Sequence, residues 1–227
     1  MCSTFKLLAA GAILVRADQG KEHLGRIVRF TQKDIVSYSP VTQTRVGDAG
    51  MSIREICAAA ITMSDNTAGN LLLRSIGGPE SLTAFARSLG DDITRLDHWE
   101  TDLNAALPGD PRDTTTPAAM LANLRALALG NALSLSSKAL LTEWLIQNQT
   151  GNERLRAGLP AAWKVGDKTG AGERGTTNDV AIIWPPQGSP VLVAVYLTGT
   201  KVDSAGRNRI LAAIGRSIAS MRSGKPA

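Results

Sequence analysis

The last third of the chain constrains the fold most. After Pro160, the segments "WKVGDKTG", "NDVAIIWP" and "PVLVAVYLTGT" are rich in Val, Ile and aromatic residues, which suit a pleated, half-buried surface. The connectors "AGERGT" and "PQGS" are turn-rich, so neighbouring strands are expected to pair antiparallel. The amphipathic stretch "SAGRNRILAAIGRSIASM" closes the chain as a helix.

The first two thirds read differently. Residues 3 to 17 form an apolar helical pattern with Lys6 and Arg16 near its ends, and residues 25 to 40 are loop-like with one short strand. Ser52 and Glu55 have the spacing of a capping box ahead of "ICAAAIT". A helix over "NLLLRSIGG" stops at Gly77 and Gly78, and Pro79 opens another that ends at Gly90. Residues 91 to 115 lack periodicity, and a loop of that length is usually functional or disordered. Thr116 and Pro117 start a further helix, and residues 136 to 147 give one more. Helices first and a small antiparallel sheet last make an α+β layout. Residues 1–160 are mainly helical, 161–227 hold the sheet strands and the last helix, and the cleft between the parts is the natural place for a site.

Composition excludes several functions. With 227 residues, 43% of them hydrophobic, the chain can bury a core. The net charge of +5 is scattered without a basic run, so no nucleic-acid partner is expected, although a mildly basic surface fits a small anionic substrate. Two cysteines and two histidines form no metal-ligand pattern, so no metal and no cofactor are expected. A Ser-His-Asp triad would have to recruit His23 or His98, and neither sits in a recognisable motif. No apolar stretch is long enough to span a membrane.

Three short motifs carry chemistry. Ser3 and Lys6 in "MCSTFK" share a helix face, where an amine can take a proton from a serine hydroxyl. Taken alone, "MCSTFKLLAAGAILV" reads equally as the start of a signal peptide. "SDN" at Ser64, Asp65 and Asn66 lies between helical patterns and alone reads as a helix cap. "KTG" at Lys168, Thr169 and Gly170 ends a strand and alone reads as an exposed edge. The three together, on helix, loop and strand in this order, are hard to obtain by chance.

With "SPVTQ", "AAAITMSDNTAGNLLL", "GGPESLTAF", "WETDLN", "DPRDTTTP" and "GDKTGAGERGT", these motifs make the chain resemble a class A serine β-lactamase along essentially its whole length. The resemblance implies the β-lactamase/penicillin-binding-protein fold and hydrolysis of the lactam amide of penicillins and cephalosporins through a serine acyl-enzyme, conferring antibiotic resistance. By matching residues, Ser3 is the nucleophile and Lys6 its proton acceptor or relay. The backbone N–H groups of Ser3 and Ala171 form the oxyanion hole, and Ser64 passes a proton to the lactam nitrogen. Asn66 binds the substrate's side-chain amide, while Lys168 and Thr169 hold its carboxylate. Glu100 and Asn104 hold the deacylating water, and Tyr38 walls the entrance.

The family's carboxylate-binding arginine position is Thr177 here, and the role is assigned instead to Arg154. Cys57 and Cys2 face Ala10 and Gly172 at their family partners' positions, so both are expected to be free thiols. His98 stands where the family has an arginine paired to Asp113, which implies a looser loop and some activity on bulky oxyimino cephalosporins. The resemblance also implies that a signal peptide, a first helix and two strands precede this chain. Without them, "PVLVAVYLTGT" presents an exposed apolar edge prone to aggregation. The implied enzyme is a periplasmic or secreted monomer. The alternatives are a D-alanyl-D-alanine peptidase and a β-lactam sensor that is acylated but turns over slowly. Glu100 with Asn104 argues against both.

Overall fold

The computed structural model describes residues 1–223, the side chains of Asp48 and Ser223 excepted. Its centre is helix α1 (Phe5–Asp18), entered through a 3-10 turn at Cys2–Thr4. Every residue from Phe5 to Leu14 is buried, so this helix is enclosed on all sides rather than along one stripe. Small residues make that possible. A Cβ at Gly11 would lie 2.8 Å from the Leu127 side chain. Truncating one of the fully buried leucines of α1 to alanine would cost about 2–5 kcal/mol.

Around α1 pack α2 (Ile53–Thr62), α3 (Asn66–Ile76), α4 (Pro79–Ser88), α5 (Pro117–Ala128) and α6 (Leu135–Ile146). Their ends follow the sequence signals. Ser52 and Glu55 form the expected reciprocal capping box. Gly77, at φ +103°, ends α3 in a left-handed conformation that favours glycine. Pro79 opens α4, and the Thr116 side chain caps α5.

One element was not foreseen, the strand that pairs with the short one expected within residues 25 to 40. β1 (Ile27–Phe30) pairs antiparallel with β2 (Gly47–Ser52), aligning Val28 with Met51 and shifting register before Phe30. The segment "GDAGMS" carries no alternating apolar pattern. Its pairing comes from β1, and Gly50 is needed because a Cβ there would meet the Val28 carbonyl oxygen at 2.4 Å.

The second sheet has the expected antiparallel order β3 (Lys164–Ala171), β4 (Thr177–Trp184), β5 (Val191–Leu197). Val180 and Ile182 on one face join the core built by the helices. Ala181 and Ile183 on the other face pack with Leu155 and Ile218, the latter on α7 (Ser204–Ser223). β5 has no second strand partner among the described residues, and all seven of its residues are half-buried.

Candidate active site

Ser3 lies in the turn that starts α1, where helix geometry leaves backbone N–H groups without intrahelical partners. One turn further, Lys6 is fully buried. Its Nζ donates to Ser3 Oγ at 2.8 Å, to Asn66 Oδ1 at 2.6 Å and to the Ser64 carbonyl at 2.9 Å. It also makes an ion pair with Glu100 Oε1 at 2.8 Å. Gly69 on α3 leaves room for this side chain, since a Cβ there would stand 2.7 Å from Lys6 Cε. Burial lowers the Lys6 pKa from its usual value, with the Glu100 carboxylate opposing the shift.

Ser3 Oγ itself donates to Glu100 Oε1 at 3.1 Å, while Asn104 Nδ2 donates to Glu100 Oε2 at 2.6 Å. A 3-10 turn at Asp102–Asn104 provides this alignment, as the four-residue spacing predicts. Glu100 is clamped at its backbone by Asn70, which accepts from Glu100 N–H at 2.9 Å and donates to its carbonyl at 3.0 Å.

The SDN segment serves both as cap and as site. Asp65 caps α3 through Ala68 N–H and accepts the backbone N–H groups of Val41 and Thr42. It thereby ties the "SPVTQ" loop to the helix start and aims the residues on either side. Ser64 Oγ accepts from Lys168 Nζ at 3.0 Å. Lys168 is fully buried, and burial followed by the charge of Lys6 pushes its pKa well below the usual lysine value. Cys2, Tyr38 and Ser64 all have positive φ, between 50° and 58°, a conformation that costs energy in non-glycine residues and clusters at functional sites.

Strand β3 closes the other side. A Cβ at Gly170 would lie 3.3 Å from Cys2 Cβ, and one at Gly172 would lie 2.6 Å from Cys2 Sγ, so the strand end carrying Ala171 runs against the Ser3 turn. Cys2 and Cys57 are both free and buried. The Cys2 thiol, pushed up to about 11 mainly by burial, is protonated at neutral pH.

Two sequence-assigned residues stand apart from the cluster around Ser3. Tyr38 is 60% exposed, and its link to the site is its carbonyl, which accepts Asn66 N–H at 3.0 Å. Arg154 donates through Nη1 to the carbonyls of Gly170 at 2.9 Å and Asn178 at 2.6 Å. It makes no ion pair among the described residues, so the guanidinium is not consumed by a surface salt bridge. Thr177, at the family's usual arginine position, accepts from Arg207 Nε at 2.8 Å.

The neck of the 91–115 loop is tied at several points. Asp113 accepts the N–H groups of Asp97 and His98 at 2.8 and 2.9 Å, and its Oδ2 lies 2.6 Å from His98 Nδ1. Sequence reasoning missed Gly69, Asn70 and the two-way role of Asp65. Asn70 falls four residues after Asn66 on α3 and therefore on the same helix face, which is the one signal that pointed to it. Among the described residues no His, Cys, Asp and Glu cluster could hold a metal, and no helix is long and apolar enough to cross a membrane.

Comparison with known proteins fits this geometry. The model of the β-lactamase enzyme family matches residues 1–221. The chain is 50% identical over 218 residues to β-lactamase FAR-1 of Nocardia farcinica, covering 96% of this chain and 69% of that protein. It is 52% identical over 212 residues to β-lactamase AST-1 of Nocardia asteroides, covering 93% and 68%. A solved ancestral class A β-lactamase, designated GNCA, superposes with a TM-score of 0.96 at 60% identity, over 97% of this chain and 85% of the other. With its serine, lysine and glutamate already in mutual contact, the chain belongs to the class A serine β-lactamase family.

Proposed function

We propose that this chain opens β-lactam rings through an acyl-enzyme on Ser3 and then hydrolyses that ester. The observation that carries the reading is the continuous set of contacts from Ser3 Oγ to Lys6 Nζ and Glu100, extended to Asn104. Lys6, its amine made easier to deprotonate by burial, takes or relays the serine proton. The N–H groups of Ser3 and Ala171 stabilise the oxyanion. Ser64, bonded to Lys168, returns a proton to the lactam nitrogen as the C–N bond breaks. Glu100 then draws a proton from the hydrolytic water. Asn104 Oδ1, buried and without a protein donor, is free to hold that water. Asn66 orients the substrate's side-chain amide, Lys168, Thr169 and Arg154 receive its carboxylate, and Tyr38 lines the rim. The mainly helical residues 1–160 and the sheet strands that follow act as the two walls of this cleft. Family membership supports a secreted or periplasmic location and action as a monomer.

Steady-state turnover of a chromogenic cephalosporin tests the reading. Repeated turnovers per enzyme are expected, whereas a single stoichiometric burst would identify a sensor and selective cleavage of D-alanyl-D-alanine peptides a peptidase.

Arg154→Ala is expected to lower kcat/KM roughly ten- to a hundredfold, because a charge-assisted hydrogen bond to a carboxylate contributes about 1.5–3 kcal/mol. Unchanged kinetics would mean that the carboxylate is held elsewhere.

The His98 contact with Asp113 is weaker than a permanent ion pair whenever the imidazole is neutral. His98→Arg should firm the loop by about 1 kcal/mol. The ratio of turnover of bulky oxyimino cephalosporins to that of small penicillins should then fall about fivefold. An unchanged ratio would remove the loop from substrate selection.

A further inference from the structure

Behind the strand that carries Lys168 and Thr169 lies a group of buried charges that the reaction above does not use. Asp167 on β3 and Asp179 on β4 are both fully buried. They project from one face of the sheet, because Asp167 stands opposite Ala181 and Asp179 opposite Thr169. Asp167 is well supplied with donors. Arg156 makes an ion pair with its Oδ1 at 2.5 Å, and Asn148 Nδ2 donates to its Oδ2 at 2.7 Å. Asp179 receives only the Leu155 N–H, at 3.2 Å on Oδ2, and its Oδ1 has no protein donor.

The two carboxyl groups lie diagonally across the β3–β4 ladder on that buried face, and burial followed by the Asp167 charge pushes Asp179 well above the usual carboxylate range, with Arg154 opposing. Two ionised carboxylates on neighbouring positions of a buried face repel strongly, and one of them takes a proton instead. Arg154 fits this state. Its Nη1 rests on the carbonyls of Gly170 and Asn178, where an ionised Asp179 would draw the guanidinium onto itself.

These acids also form the floor under the turn that leads to Arg154. A Cβ at Gly151 would lie 1.8 Å from Asp167 Oδ2. Arg154 N–H donates to the Gly151 carbonyl at 3.0 Å, Thr150 Oγ1 hydrogen-bonds Thr169 Oγ1, and Asp179 grips the next residue through Leu155 N–H.

We propose that Asp179 is a neutral carboxylic acid whose Oδ1–H donates to the Asp167 carboxylate, and that this pair seats the 150–155 turn so that Asp179 is a positioning residue for the Arg154 guanidinium. The inference rests on the reading that Arg154 receives the substrate carboxylate.

The test combines Asp179→Ala, Asp179→Asn and Arg154→Ala, singly and with each Asp179 change placed in the Arg154→Ala background. The readouts are KM and kcat for a penicillin and the infrared carbonyl stretch of a buried carboxylic acid. Asp179→Ala should raise KM about tenfold with a smaller change in kcat. Asp179→Asn should restore KM to within about twofold of the parent, since its amide N–H donates to Asp167 as the hydroxyl did. In the Arg154→Ala background neither change should raise KM further, because the two positions act through one contact. The infrared band should be present in the parent and lost in Asp179→Asn.

An Asp179→Asn variant as impaired as Asp179→Ala would overturn the neutral acid, and so would absence of the band from the parent. Multiplicative losses with Arg154→Ala would overturn the positioning role. If Asp179→Ala does not fold, the asparagine variant and the band still decide. If Arg154→Ala leaves KM unchanged, the reading of Arg154 fails by itself, and the band then judges the acid pair separately.

Discussion

Ser3→Ala is expected to abolish covalent labelling by penicillins and to lower turnover by about 10⁴-fold or more. No other hydroxyl in the site meets the same conditions. Ser64 Oγ accepts from Lys168 Nζ at 3.0 Å. Ser3 Oγ, in contrast, contacts Lys6 Nζ and Glu100 Oε1 together, at 2.8 and 3.1 Å, and so has two groups able to take its proton. Thr4 is committed to the Met1 carbonyl and the Tyr196 hydroxyl. Intact-mass spectra after incubation with a penicillin decide the matter. A penicilloyl adduct persisting on the alanine variant would remove Ser3 from its role.

Glu100→Ala should separate the two halves of the reaction. Among the described residues the carboxylate is the only group that hydrogen-bonds both the serine hydroxyl and the Asn104 side chain, so its removal takes the base from the water site. Deacylation is expected to slow by about 10²- to 10⁴-fold, the usual contribution of a positioned general base. Acylation should survive in slower form. Lys6 loses the carboxylate that supports its charged form, while the burial that disfavours that charge remains, so its amine becomes more readily neutral and still lies on Ser3 Oγ. The expected trace is a stoichiometric burst of ring opening followed by a long-lived adduct of penicilloyl mass on Ser3. A variant that turned over like its parent would show that Glu100 is merely part of the loop.

Local chemistry explains which parts of this arrangement could be read from the sequence. The capping box at Ser52 and Glu55, the stop at Gly77 and the start at Pro79 involve groups within a few residues of one another, so their pattern survives in one dimension. The apolar strands after Pro160 were legible because a sheet buried on both faces needs such side chains regardless of its partner. Strand β2 was not legible, because its pairing depends on β1 some twenty residues earlier and not on its own glycine-rich composition. The same holds within the site. Ser3, Lys6, Ser64, Asn66, Glu100, Asn104, Lys168 and Thr169 were found through three short motifs and "WETDLN". Asn70 bracing the Glu100 backbone, Gly69 making room for Lys6, and Asp179 standing diagonally across the ladder from Asp167 each depend on a neighbour brought in from another element. Spacing along the chain carries no trace of such contacts.

The enclosure of α1 on every side has a consequence for how the molecule loses activity. A nucleophile at the head of a helix buried from Phe5 to Leu14 can move away only when the core itself opens, so the hydrogen-bonded amides of that buried stretch should exchange at close to the slowest rate in the protein. Glu100 and Asn104 sit on a segment without regular elements beyond a single 3-10 turn, where opening needs far less of the core. Gentle heat or denaturant should therefore disturb the water-holding side first, leaving a partly loosened molecule that still captures substrate but is slow to release it.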